Sequence, residues 1–373
     1  MSTIGRVTGV DVWPELPYGE WNDTLETLHM VTQIVGKVRL SLTPLEPQWA
    51  NVPLYLTAHG LTTTPMASGP VIFQVDIDLL DHQVLITTTG GEMRRVPLAA
   101  RPVAAFYADF MSSLSSLGIV ARFLPSPSEV SDPIPFAEDT VHSAYEPEWA
   151  NRFFRVLSHT DLVLKQHRSR FRGRTSPVHF FWGTFDLANS RFSGRPADPP
   201  PNAGIIHRLG ADAEQICAGF WPGSRQFPQA AFFAYTYPKP DGIEAQAIQP
   251  AQARWDVGLG EFALLYDDVR RSASPEAAIL DFCESTYSAG ARLRGWDPKL
   301  VVETASTAST PPATLSVSST PAARSRPSRR RDRSCGRSSM ARRWCTRRAS
   351  TGGSTSQTSA GGGQTASPTP ARV

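Results

Sequence analysis

Cysteine is scarce in this chain of 373 residues, which contains only four. Cys217 and Cys283 lie far apart, and Cys335 and Cys345 lie near the C-terminus. Their spacing does not match a zinc site or a redox pair, so we expect neither a disulfide framework nor a bound metal. A reducing compartment, the cytoplasm, is the expected location.

Long apolar runs are also missing. No stretch approaches 18 consecutive apolar residues, so we expect no membrane-spanning helix and no membrane partner. The N-terminal residues Met1-Ser2-Thr3-Ile4-Gly5 lack the basic segment and apolar run of a secretory signal, and we expect no signal peptide.

The short motifs that identify common enzymes are absent. The sequence has no Gly-x-Ser-x-Gly elbow, no phosphate-binding loop ending in Gly-Lys-Ser/Thr, and no His-Glu-x-x-His. Its eight histidines are scattered without the spacing of metal ligands. We therefore expect no cofactor, and the sequence by itself does not name a reaction.

Lysine is absent from residues 301–373. This segment contains 12 arginines and two acidic residues, Glu303 and Asp332, so its net charge is +10. This segment is otherwise rich in Ser, Thr, Ala, Gly and Pro, which predicts a disordered tail. An out-of-frame translation of GC-rich coding sequence would have the same composition. Residues 1–300 hold 25 basic and 32 acidic residues, a net charge of −7. We expect no nucleic acid to bind this core.

Aromatic residues are plentiful, with 18 Phe, 9 Trp and 8 Tyr, enough to build a sizeable core. Residues 20–290 also show a pattern that occurs twice. Glu20-Trp21 and Glu148-Trp149 each open a predicted helix, and the same offset aligns Lys37 with Lys165. At a slightly shorter offset, the segment 51–56 aligns with 177–182. This pattern predicts an internal duplication.

Hydrophobic periodicity predicts the same order of elements in each half. Apolar residues recur at helical spacing over 21–40, 102–117 and 149–171, and a further helix begins at Ser274-Pro275-Glu276. Alternating residues over 71–79 predict a strand in a meander, and further strands are predicted near 178–187, 216–221, 231–237 and 261–266.

The predicted fold class is α+β, with two pseudo-repeats that each consist of a helix, an antiparallel sheet and a second helix. The predicted domains are 13–123 and 148–300, joined by a Pro-rich linker over 124–147 and followed by the tail, 301–373. Only the second half contains a long Pro-rich insertion, residues 193–212, of the kind that often borders a binding site.

Several strings are more specific than these patterns. They include Trp13-Pro14-Glu15-Leu16-Pro17, Ser176-Pro177-Val178-His179-Phe180-Phe181-Trp182-Gly183, Arg191-Phe192-Ser193-Gly194-Arg195 and Phe220-Trp221-Pro222-Gly223. Together they resemble an uncharacterised bacterial family, the domain of unknown function DUF5996. The resemblance covers roughly residues 13–298 and implies no activity, substrate or catalytic residue.

The first candidate site is a polar stripe on the first helix, where His29, Gln33 and Lys37 follow at four-residue steps. In the aligned helix, Asp161 and Lys165 are also four apart. The two lysines could meet an anionic group of one ligand. Alternatively, both sets lie on the solvated faces of amphipathic helices, and Asp161–Lys165 is an ordinary surface pair.

The second candidate site contains His179, Trp182, Asp186, Arg191 and Arg195. In one continuous strand, His179 would face away from Trp182 and Asp186. Asp186 with either arginine could orient a polar or anionic ligand. The alternative is a salt-bridged strand end over an aromatic core, with His179 as a structural histidine. His179, Asp186 and Glu261 are the weak catalytic candidates.

These observations predict a cytoplasmic protein with a small-molecule pocket near the interface of the two repeats. Its ligand would be polar or anionic and would contact Gln33, Lys37, Asp161, Lys165, Trp182, Asp186, Arg191 and Arg195. One alternative is a metal-independent hydrolase or transferase that uses a His/carboxylate pair. Another is a structural or interaction module without a ligand. The sequence determines neither the ligand nor the oligomeric state.

Overall fold

Six α-helices and twelve β-strands form in residues 11–302, the part of the chain that the computed structural model describes. The helices are α1 Tyr18–Leu42, α2 Val103–Ser116, α3 Pro147–Ser169, α4 Ile205–Gly210, α5 Tyr266–Arg270 and α6 Pro275–Leu293. None of the helices in this range has the length and apolar character needed to cross a membrane. Of the predicted tail, residues 303–373 lie outside the described range.

The first half of the chain forms a six-stranded antiparallel sheet. Its strands are β1 Tyr55–Leu56, β2 Gly60–Thr62, β3 Met66–Ser68, β4 Val71–Asp78, β5 Gln83–Thr88 and β6 Met93–Pro97. The order is β1-β2-β4-β5-β6, and β3 also pairs with β4. Strand β4 shows the predicted alternation, because Phe73, Val75 and Ile77 are buried while the residues between them are partly exposed.

The second half forms another six-stranded antiparallel sheet, in the order β11-β12-β10-β9-β8-β7. Its strands are β7 His179–Phe181, β8 Asp186–Pro196, β9 Ala213–Trp221, β10 Ala231–Tyr237, β11 Arg254–Asp256 and β12 Glu261–Leu265. Helices α3 and α6 cover one face. Arg191 of β8 bonds to Glu284 of α6 and to the carbonyl of His167 in α3.

The two sheets meet edge to edge beside β1 and β7. Leu54 donates a backbone hydrogen bond to Phe180 at 2.9 Å and accepts one back at 3.0 Å. Nearby, Trp21 of α1 packs against Phe153 of α3 with ring centroids 5.3 Å apart. One hydrophobic cluster includes buried residues from both halves, so the halves share a core.

The prediction of an α+β fold with antiparallel sheets is confirmed. The predicted strand over 178–187 is wrong in one respect, because it consists of two strands joined by a turn. Strand β7 ends at Phe181, and Phe185 has a positive φ of 59° before β8 begins at Asp186. The chain reverses direction there, so the strand alternation that separates His179 from Asp186 does not continue through the turn.

The predicted insertion over 193–212 is also more regular than expected. Strand β8 continues to Pro196, and helix α4 occupies Ile205–Gly210. The side chain of Trp49, in the short 3-10 helix Pro47–Trp49, donates to the carbonyl of Ile206 at 2.8 Å. This contact connects the insertion to the first half of the chain.

Candidate functional site

A cavity of about 420 Å³ lies on the face of the second sheet that α3 and α6 leave uncovered. Alternate residues of β8 line it, namely Asp186, Ala188, Ser190 and Phe192, as the two-residue period of a strand requires. The residues between them, such as Arg191, face the helices. The sheet therefore separates a cavity face from a helix face.

The floor of the cavity contains a polar row that crosses three strands. Ser190 pairs with Cys217 across β8 and β9, and Cys217 pairs with Tyr235 across β9 and β10. Ser190 also donates to the side chain of Gln215 at 3.0 Å. All four side chains line the cavity. Sequence analysis did not assign Ser190, Gln215 or Cys217 to a site, although Gln215 and Cys217 flank the apolar Ile216 in a predicted strand.

Burial raises the pKa of the Cys217 thiol, hydrogen bonds with Ser190 and Tyr235 lower it, and the carboxylates of Asp186 and Glu261 raise it, which leaves the pKa at about 12. Burial also raises the pKa of Tyr235 well above its usual value, again with contributions from Glu261 and Asp186. Both groups are therefore neutral at physiological pH. Glu261, the first residue of β12, does not line the cavity, but its negative charge raises the pKa values of Cys217 and Tyr235 in the floor.

One end of the cavity is acidic. Asp186 is only 5% exposed and accepts a hydrogen bond from the hydroxyl of Thr184. Glu129 lines the same end, with its carboxylate against the backbone of Gly183. A side chain at Gly183 would collide with that carboxylate, because an added Cβ would lie 2.1 Å from its oxygen. A residue other than glycine at position 183 would therefore displace this carboxylate, which ends a flexible side chain.

The other end of the cavity is where β8 reaches Phe192. The guanidinium of Arg174 lies 3.9 Å from the centroid of the Phe192 ring and donates to Gln48 at 2.9 Å. Ile205 and Ile206 of α4 complete this end, together with the 3-10 helix Pro47–Trp49. Parts from both halves of the chain thus border the cavity.

Trp182 forms a wall of the cavity and is held in place from two sides. Its indole nitrogen donates to the carbonyl of Val52 at 2.9 Å. Its ring lies directly on Gly36 of α1, where an added Cβ would be 2.3 Å from ring atoms. The predicted role of Trp182 as a ligand contact is compatible with this position.

The polar stripe of α1 holds the segment that borders the acidic end. Gln33 exchanges two hydrogen bonds with the backbone of Ser128, at 2.7 and 3.0 Å. The ammonium of Lys37 donates to the Ser128 hydroxyl at 2.7 Å, and burial lowers the Lys37 pKa while Glu129 raises it. His29 Nε2 lies 3.0 Å from the carbonyl oxygens of Trp182 and Gly183. Gln33 and Lys37 therefore support the cavity from behind.

His179 lines the cavity as a neutral imidazole. Burial, together with the positive charges of Arg39 and Arg168, lowers its pKa to about 4. Its ring packs against Tyr55 and Phe181 at centroid distances of 5.7 and 5.3 Å, and its buried Nδ1 has no hydrogen-bond partner. Since Phe181 pairs with Asp186 and His179 with Ala188, His179 and Asp186 are diagonal neighbours on one face.

Besides Gln33 and Lys37, four predicted ligand contacts do not line the cavity. Asp161 and Lys165 pair with each other at 2.5 Å, and Lys165 is 53% exposed. Arg191 forms two hydrogen bonds with Glu284 on the helix face of the sheet. Arg195 bonds to Glu214 at 2.8 Å. The ligand hypothesis for these four residues stays a prediction, and the proposal below does not use them.

Within residues 11–302, no group of three or more His, Cys, Asp or Glu side chains is arranged to hold a metal ion. The aromatic residues divide by strand face. Phe181, Trp182, Phe233 and Tyr235 line the cavity, whereas Phe220 and Phe232 pack together in the hydrophobic core.

Comparison with known proteins gives a family and no activity. Neither the curated proteins nor the solved structures contain a match to this chain. The model of one protein family, described as a family of unknown function (DUF5996), matches residues 13–303. The chain belongs to that family.

Proposed function

We propose that this protein binds a small, elongated and largely apolar organic molecule in the cavity over the second sheet. The observation that carries the proposal is the cavity itself, about 420 Å³ of space lined mainly by aromatic and aliphatic side chains. Small-molecule sites usually enclose about 300–1,000 Å³ and combine apolar walls with a few polar groups. The row from Ser190 to Tyr235 supplies such polar groups.

The ligand should be elongated because the cavity follows β8. Residues from Asp186 to Phe192 line it, and a strand rises by about 3.3 Å per residue, so this lining extends over roughly 20 Å. The sequence predicted a polar or anionic ligand. The charged side chains that line the cavity are Glu46, Glu129, Asp186 and Arg174. Because three of these four are acidic, the cavity favours an anionic ligand less than the sequence suggested.

The test is native mass spectrometry of protein purified from cells, compared with an Ala188→Phe variant. Ala188 lies on the floor opposite His179, so a phenyl ring there would fill the cavity. We expect a small molecule to co-purify with the unaltered chain and to be lost from the variant. Ala99→Phe, at an exposed position, is the control and should retain the molecule.

The proposal fails if no molecule co-purifies and if added small molecules do not bind to either protein. That result would favour a structural or interaction module. Circular dichroism of Ala188→Phe shows whether the variant folds. If it does not, Ser190→Leu narrows the same cavity with a smaller side chain.

Acid–base chemistry by a metal-independent hydrolase or transferase is a second candidate. One observation favours it, the presence of His179 and Asp186 on the same face of the cavity. The low pKa of His179 argues against this candidate, because a general base works best with a pKa near the working pH. Turnover of ester or phosphoester test substrates that His179→Gln abolishes would support this candidate.

We also propose that the two halves arose by duplication and that the protein works in the cytoplasm. Leu54 and Phe180 occupy the same position in the aligned segments 51–56 and 177–182, and they pair with each other. Antiparallel pairing of equivalent residues is what a two-fold relation between repeats would produce. The free, buried thiols of Cys217 and Cys283 fit a reducing compartment.

A further inference from the structure

The geometry points to a ligand that carries a basic nitrogen, protonated at neutral pH, at the Asp186 end of the cavity. This inference rests on the proposed function, because it describes the chemistry of the molecule that the cavity binds. It goes beyond that function by assigning a charge and an orientation. The ligand class is an organic amine with an apolar or aromatic body.

The first argument is how charge is distributed along the cavity. Asp186 and Glu129 line the end near Gly183, whereas Arg174 lies over Phe192 at the other end. Asp186 and Phe192 are six residues apart on β8, a separation of about 20 Å. A cationic group is therefore attracted to one end without meeting the guanidinium at the other.

The second argument concerns the floor beside Asp186. The negative charges of Asp186 and Glu261 each raise the pKa of Cys217 and the pKa of Tyr235. These two carboxylates therefore contribute a negative potential at the centre of the floor. A positive charge would be favoured there, since buried interactions are weakly screened by salt.

The third argument is the aromatic surface around this end. Trp182 and Phe181 line the wall next to Asp186, and Phe233 and Tyr235 line the floor. The faces of aromatic rings attract cations, and such contacts are strongest where water is excluded. A carboxylate beside aromatic rings suits an ammonium group better than a carboxylate or phosphate.

The cations nearest this end do not line the cavity. The ammonium of Lys37 bonds to Ser128 and interacts favourably with Glu129, so it balances part of the charge of that carboxylate. Arg39 donates to Thr64 and lies over the ring of Tyr55 at 5.6 Å. The positive charges of Arg39 and Arg168 lower the pKa of His179 and so help to keep its imidazole neutral. The imidazole therefore does not repel a bound ammonium.

The test compares three probes that share one ring system and differ in charge: tryptamine, tryptophol and indole-3-propionate. Dissociation constants are measured by ligand-observed NMR at neutral pH, with the full chain. We expect tryptamine to bind at least tenfold more tightly than neutral tryptophol, and indole-3-propionate to bind most weakly. Asp186→Asn should reduce the preference for the amine to about twofold or less.

The chain offers a matched control for this substitution. Asp161→Asn removes a carboxylate that is also largely buried but lies outside the cavity, paired with Lys165, and it should leave the preference unchanged. If Asp186→Asn does not fold, the comparison of the three probes on the unaltered chain still decides the charge.

The results separate the two proposals. Equal binding of all three probes, or tighter binding of the acid, would overturn the basic-nitrogen inference and leave the proposed function standing. A preference for tryptamine that Asp186→Asn leaves intact would also overturn it, because the amine would then bind elsewhere. If no probe binds and no molecule co-purifies, both proposals fail.

Discussion

At the scale of single residues, the contact between Gly36 and Trp182 decides the shape of the cavity wall. The indole ring lies where the side chain of residue 36 would otherwise be. Glycine inside a helix usually costs about 1 kcal/mol relative to alanine. That cost is offset here by the close packing of α1 against the ring that borders the cavity.

We expect Gly36→Ala to destabilise the protein by about 1–3 kcal/mol. The added methyl group would overlap the Trp182 ring, and such overpacking outweighs the gain in helix propensity. Gly19→Ala, in the first turn of the same helix, has no atom within 4 Å of the new Cβ and should be neutral or slightly stabilising. Urea unfolding of both variants measures the difference, and equal stabilities would contradict the prediction.

Sequence analysis selected some of the residues at the cavity and not others. Trp182, His179 and Asp186 were chosen because aromatic and titratable residues cluster there. The relative orientation of His179 and Asp186 was predicted incorrectly, because the prediction of one continuous strand ran through a turn. Gly183 lies in that turn and was a local signal for it, although the residue with the positive φ is Phe185.

At the scale of elements, helix α1 connects the cavity to the rest of the protein. Its polar stripe was compatible with a ligand site or with a solvated face. In the structure it contacts the segment around Ser128 and the carbonyls of Trp182 and Gly183. Burial of these polar groups is tolerated because each finds a hydrogen-bond partner.

Gln33→Leu should loosen the segment at Ser128 and destabilise the protein by about 1–3 kcal/mol. The substitution leaves a backbone N–H and a carbonyl without the partners that Gln33 provides. Hydrogen exchange at the Ser128 amide should become faster. Gln74→Leu is the control, since its amide bonds only to the nearby Asp76 side chain. Unchanged exchange at Ser128 would show that other contacts hold the segment.

At the scale of the whole molecule, three histidines are enclosed in neutral form. Burial lowers the pKa values of His29, His167 and His179 to about 4. The unfolded chain binds protons at these side chains near pH 6.5, whereas the folded chain binds them only near pH 4. Above about pH 6.5 these histidines are neutral in both states and do not reduce the free energy of unfolding. As pH falls from about 6.5 towards 4, only the unfolded chain takes up protons, so the free energy of unfolding decreases.

We expect the free energy of unfolding to decrease between pH 6.5 and 4 by up to about 4 kcal/mol per pH unit, because three protons are taken up on unfolding. His179→Gln should reduce this slope by about one third. Below pH 4.5, protonation of Glu284 adds a further loss. The folded state holds the pKa of Glu284 at about 2 through His167 and Arg191, although burial opposes this. Urea unfolding at several pH values measures the slope, and a pH-independent stability would refute the assignment.

The shared core leads to a second expectation at this scale. Buried residues of both halves belong to one cluster, and Leu54 and Phe180 join the two sheets. We expect residues 11–302 to unfold in a single transition, with circular dichroism and tryptophan fluorescence changing together. Two separate transitions would indicate that each half is stable alone.

The sequence by itself determined the fold class, the order of the longer helices and strands, and the family. These features depend on hydrophobic periodicity, turn residues and specific strings, which are properties of neighbouring residues. Tertiary structure alone decided which polar residues meet. The lysines of the two aligned helices have different surroundings, because Lys37 is buried behind the cavity wall and Lys165 is largely exposed. The cavity combines β7–β10, α4 and a segment from the first half, and contacts so distant along the chain follow from sheet register and packing, which no local pattern encodes.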